Sequence, residues 1–171
     1  MTAIRDYAKA HHIPIMQDEG LRFLVDFIAA KNYHGILELG SAIGYSALQM
    51  ALVDDDNKVI TIEKDKDLFD IASSNITAMK LDHRICIFNM DAYDYEPEEQ
   101  FDFIFIDAAK AQYHGLFDKF YPYLRPGGAC FFDNMEFHGY VAHPQNTNNR
   151  NTKQLARKLR EFRTFIEEAH E

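Results

Sequence analysis

Short apolar runs that stop at an acidic residue alternate along this chain with longer stretches of helical periodicity. Residues 1–13 carry Ile4, Tyr7 and Ala8 at helical spacing, and Pro14 ends that helix. Ile13, Pro14, Ile15 and Met16 then make an apolar extended segment. A second helix is predicted over 18–30, with Asp18 as N-cap and Leu21, Leu24, Val25 and Ile28 on one face. Strands are predicted at 35–40, 59–63, 84–91, 101–107 and 129–132, with helices at 44–53, 66–80 and 113–124 between them. Pro126, Gly127 and Gly128 close the last of these helices. A polar loop over 144–151 leads to a final helix at 152–169, where Leu155, Leu159, Phe162 and Ile166 form a stripe.

Five strands alternating with helices predict an α/β fold with a doubly wound, mostly parallel sheet. A helical segment, 1–33, precedes the sheet region, 34–171, and no linker composition separates them, so one domain is expected over 1–171. Nothing in the apolar pattern approaches the ~20 residues of a membrane span. Cys86 and Cys130 both fall in strand-like runs, which suggests buried thiols in a reducing cytoplasm. The net charge of −9 argues against a general nucleic-acid binder. It is uneven, however: residues 150–163 carry +5. Within that segment Arg150, Lys153, Arg157 and Arg160 leave the apolar stripe free and offer a basic face.

The chemistry concentrates at strand ends. Residues 36–39 run into Gly40, and a helical pattern resumes at Gly44, the strand–loop–helix unit that opens a nucleotide-binding sheet. The glycine spacing is neither that of a P-loop nor Gly-x-Gly-x-x-Gly. In an open parallel sheet ligands bind beyond the carboxyl ends of the strands. Each strand here delivers a polar residue to that edge: Glu38, Glu63, Asp91, Asp107, and Asp133 with Asn134. Glu63 ends the second strand, where an acid pairs with ribose hydroxyls, and Asp91 with Ala92 would sit beside a base. Asp107, Asp133 and Asn134 are hard oxygen donors suited to Mg²⁺ or Ca²⁺ rather than zinc. Lys110 follows Asp107 by one helical turn, where a neighbouring cation would favour its basic form.

Taken together, Glu38-Leu39-Gly40-Ser41-Ala42-Ile43-Gly44-Tyr45-Ser46, Thr61-Ile62-Glu63, Asp91-Ala92, Ile106-Asp107-Ala108-Ala109-Lys110-Ala111-Gln112-Tyr113 and Asp133-Asn134 resemble the cation-dependent class I O-methyltransferases of the catechol and caffeoyl-CoA type. Residues 11–16 and 107–113 are most similar, within that family, to bacterial tRNA 5-hydroxyuridine methyltransferases. The resemblance implies that Met16, Glu38, Gly40, Ser46, Glu63, Asp91, Ala92 and Asp107 surround S-adenosyl-L-methionine. It also implies that Asp107, Asp133 and Asn134 hold Mg²⁺, Ca²⁺ or Mn²⁺, and that Lys110, with Asp107, is catalytic. Met90 stands where the family usually has glycine. Relatives continue into further antiparallel strands that these residues lack, so an exposed edge is expected beside the fifth strand.

The expected activity is methylation of tRNA wobble 5-hydroxyuridine to 5-methoxyuridine, and the alternative is methylation of a small catechol- or caffeoyl-CoA-type substrate. A cofactor-binding module with little turnover is the third reading. The expected partners are tRNA along the basic helix or a small vicinal-hydroxyl substrate, and a second copy in a homodimer.

Overall fold

The computed structural model describes residues 1–168, apart from the His138 side chain. Helices α1 (Thr2–Ala10) and α2 (Asp18–Lys31) lead into β1 (Gly35–Leu39), followed by α3 (Tyr45–Ala51), β2 (Lys58–Glu63), α4 (Lys66–Ala78) and β3 (Ile85–Asn89). Then come β4 (Phe101–Ile106), α5 (Tyr113–Phe120), β5 (Leu124–Phe132) and α6 (Arg150–Glu168). The strands lie in the order β3-β2-β1-β4-β5, and every neighbouring pair is parallel. The chain starts in the middle of the sheet and winds outward in both directions, which places a switch point between β1 and β4.

The period of two in β4 shows why both faces must be covered. Phe103 and Phe105 enter one core with Leu24, Ile28, Leu48 and Ile76, from α2, α3 and α4. Ile104 and Ile106 enter the other with Leu116, Phe120, Leu159 and Phe162, from α5 and α6, and Phe101 joins them because the strand is irregular between Phe101 and Phe103. The predicted stripe on α6 therefore packs on the sheet, while Lys153, Arg157 and Arg160 are exposed. The expected end of α6 at residue 169 lies outside the described residues.

Several boundaries differ from the sequence reading. Asp18 is the first residue of α2 rather than its cap; Gln17 precedes the helix without a side-chain bond, and Asp18 instead pairs with Arg5 of α1. The helix predicted to 124 ends as α5 at Phe120 and continues as a 3₁₀ turn, Tyr121–Tyr123, because Pro122 cannot donate to an α-helical bond. Residues 126–128 lie inside β5 as a register shift against Phe101 and Phe103, where Gly128 touches the Asp102 backbone too closely for any Cβ. Strand β3 is shorter than predicted, and Cys86 on it is exposed, not buried, because β3 is an edge strand. Cys130 is half-buried, and burial raises its thiol pKa. Strand β5 forms the other edge. Among the described residues, no helix is long and apolar enough to cross a membrane.

Candidate active site

The glycine loop after β1 is clamped between neighbouring strand ends. Gly40 N–H donates to the Ile62 carbonyl, and Asp107 N–H donates to the Leu39 carbonyl, both at 2.9 Å. Gly40 has φ +101°, and a Cβ there would lie 2.3 Å from the Asp107 carbonyl oxygen. Its smallness is thus required by the β4 loop as much as by any ligand. Ala42 follows with φ +46°, and its N–H donates to Glu63 Oε2 at 2.8 Å. Glu63 Oε1 accepts from Asp65 N–H at 2.9 Å. One carboxylate therefore holds two backbone turns, and each of its oxygens keeps a second acceptor site.

Glu38 lies beneath that loop and is fully buried. It accepts from Thr61 Oγ1 at 2.5 Å and from the Ser46 hydroxyl. Burial pushes the Glu38 carboxyl up to about 8; the two hydroxyl bonds oppose the shift, and nearby Asp107 and Glu63 add to it. Glu38 and Ser46 thus stand behind the cleft lining, supporting the loop.

The cleft, about 620 Å³, opens at the carboxyl edge of the sheet. Gly40, Ala42 and Glu63 line one side, Asp107, Ala108 and Lys110 the floor, and Asp133 with Asn134 the far side. Pro14, Ile15 and Gln17, from the segment before α2, form the rest of the wall. An adjoining lobe of about 410 Å³ shares Pro14, Gly40, Glu63, Asp107 and Ala108 and adds Met90, Asp91, Ala92 and Gln112. Glu63 and Asp107 belong to both lobes. A nucleoside seated against Asp91 and Ala92 would pass Glu63 with its ribose and direct its other end toward Asp107, Lys110 and Asp133. Met16 lies apart from this lining: it is buried in the core and faces a neighbouring cavity with Arg5 and Asp18.

Burial raises Asp107 to about 6; the facing Asp133 carboxylate adds to the shift, Lys110 opposes it, and Glu63 adds further. Two carboxylates that repel across an open cleft, with the Asn134 amide beside them, are a donor set for a hard divalent cation. Among the described residues, no group of three or more His, Cys, Asp or Glu side chains is placed to hold a metal, so Asn134 would have to complete the set. Asn134 is exposed and in the left-handed region, φ +50°, which an asparagine adopts more readily than most residues.

The strand-end acids were visible as a pattern in the sequence; the wall was not. Pro14, Ile15 and Gln17 carry no catalytic chemistry, and the one signal was an apolar extended stretch before α2. Ala42 was equally silent, since its contribution is a backbone N–H.

The sequence profile of the O-methyltransferase family matches residues 1–168. A caffeoyl-CoA O-methyltransferase of Populus kitakamiensis is 30% identical over 148 residues, covering 81% of this chain; the chain spans 62% of that relative's length. A crystal structure from Staphylococcus aureus, a candidate caffeoyl-CoA O-methyltransferase, superposes with TM-score 0.91 at 30% identity, covering 96% of this chain and 80% of that one. An O-methyltransferase of Bacillus cereus in complex with SAH superposes with TM-score 0.80 at 29% identity, covering 94% and 76% of the two chains. With its parallel sheet, clamped glycine loop and row of strand-end acids, the chain belongs to the O-methyltransferase family of S-adenosylmethionine-dependent enzymes.

Proposed function

We propose that the chain methylates a hydroxyl group on a small substrate with two adjacent oxygens, of the catechol or caffeoyl-CoA type. The observation that carries this reading is a single cleft in which Glu63, Asp107, Lys110, Asp133 and Asn134 converge. The Bacillus cereus relative binds SAH, the demethylated form of S-adenosylmethionine, and the cofactor's part is to supply an electrophilic methyl group. Glu63 accepts the ribose hydroxyls, Asp91 and Ala92 border the base, and the wall of Pro14, Ile15 and Gln17 keeps water from the transfer. A divalent cation held by Asp107, Asp133 and Asn134 would acidify a substrate hydroxyl and fix its neighbouring oxygen. Lys110 stands in the same cleft as the group that takes the hydroxyl proton, and the ordered walls hold the substrate in line for transfer.

A second reading, methylation of tRNA 5-hydroxyuridine, has one observation of its own. Helix α6 packs against the turn Lys110–Gln112, whose first residue lines the cleft, and carries its basic residues on the exposed side of the helix. Arg163 is occupied by Glu136 and Glu167, and Arg157 reaches Glu161 at 3.7 Å. Lys153, Lys158 and Arg160 have no ion pair among the described residues. The similarity to caffeoyl-CoA enzymes favours the small substrate.

The test is transfer of labelled methyl from S-adenosylmethionine in Mg²⁺, offered a catechol and, separately, hydroxyuridine-containing tRNA. Transfer to the catechol, abolished by EDTA and by Asp133→Ala with cofactor binding retained, is the expected result. Undiminished transfer in EDTA would overturn the cation's role; methylation of tRNA alone would replace the first reading by the second.

A further inference from the structure

Helix α5 begins at the floor of the cleft with a residue that has no part in the lining. Tyr113 is fully buried, its ring packed against Phe132 at 5.5 Å and Phe162 at 6.4 Å between centroids. A phenol in such a place needs a partner, because an unpaired buried hydroxyl is costly. Its O–H donates to the carbonyl oxygen of Asp133 at 2.9 Å.

That carbonyl sits where the sheet stops holding the chain. The last ladder bond, from Asp133 N–H to the Ile106 carbonyl, has lengthened to 3.4 Å, and Asn134 turns into the left-handed region. Beyond it a turn bond from Phe137 N–H to the Asn134 carbonyl, 3.1 Å, holds the backbone from the other side. The same Tyr113 ring lies under the Lys110 ammonium, 5.7 Å from its centroid, a favourable cation–π distance.

We propose that Tyr113 is a positioning residue that sets the Asp133–Asn134 turn for cation binding and ties it to the loop carrying Lys110. The inference rests on the reading of Asp107, Asp133 and Asn134 as cation ligands. Partners one step behind the ligands characteristically change metal affinity by ~10–100-fold when removed. Tyr113→Phe keeps the ring, and with it the contacts to Phe132, Phe162 and Lys110, and removes only the bond to Asp133.

The experiment measures Mn²⁺ binding to the full chain by calorimetry, without substrate. Wild type, Tyr113→Phe and Leu116→Ala are compared; Leu116 is buried on the same helix and lines no part of the cleft. Expected are tenfold or greater weakening in Tyr113→Phe and wild-type affinity in the less stable Leu116→Ala. In turnover, Tyr113→Phe should raise the KM for Mn²⁺ and recover most of kcat at saturating metal. Equal affinity in Tyr113→Phe and wild type overturns the proposal, as does equal weakening in Leu116→Ala, which would reduce the effect to general loosening. A wild type that binds no Mn²⁺ removes the ligand reading itself, and the inference with it.

Discussion

At the scale of the residue, the strand-end acids divide their labour by depth. Glu63 lines the cleft and also holds the Ala42 and Asp65 turns, so it serves the fold as well as the cleft wall. Glu38, one strand over, is sealed beneath the loop with its carboxyl raised to about 8. The folded protein therefore keeps a proton that the unfolded chain releases near its ordinary value of 4.5. This contribution to stability is complete below about 4.5 and is lost as pH rises through about 8. Glu38→Gln is neutral at every pH and should show a flatter stability profile, gaining on wild type by an amount on the order of a few kcal/mol between those limits. Chemical denaturation at pH 5, 6.5 and 8 checks this, and parallel profiles for the two proteins would refute it.

At the scale of the element, the glycine loop and the β4 loop are one unit. Gly40→Ala combines a disfavoured φ with a 2.3 Å collision against the Asp107 backbone, and neither strand end can retreat from its ladder. We expect a loss of about 2 kcal/mol or more, together with weaker S-adenosylmethionine binding as Asp107 shifts. Gly139→Ala is the comparison: φ is +81° there, but among the described residues nothing lies within 4 Å of the added Cβ, so the backbone cost of about 1 kcal/mol is what applies. Equal losses in the two variants would show that the loop contact contributes nothing.

At the scale of the whole molecule, an acidic protein carries a basic helix beside its cleft. Lys153, Arg157 and Arg160 are exposed, so changing all three to Gln should alter stability by less than about 1 kcal/mol. Transfer to a catechol should be unchanged. If the helix grips RNA, tRNA affinity at low salt should fall and its log–log salt slope flatten by about two to three units. An unaltered slope, measured by filter binding across a salt series, would leave this face a solvated surface.

The alternation of apolar runs with helical periodicity determined the order of elements, the two-faced burial of the sheet and the row of acids at its carboxyl edge. These are local consequences of side-chain period and of where each run stops, so they can be read without coordinates. Only tertiary structure decided depth and proximity. It placed Glu38 and Ser46 behind the cleft instead of in it, brought the distant Pro14, Ile15 and Gln17 into the cleft wall, and set Tyr113 against the Asp133 carbonyl twenty residues on. It also exposed Cys86, whose apolar neighbours in sequence suggested a core position, by leaving β3 at the sheet's edge. Which strand is central and which is an edge depends on the order in which strands pair, and that is a property of the assembled sheet, not of any one run.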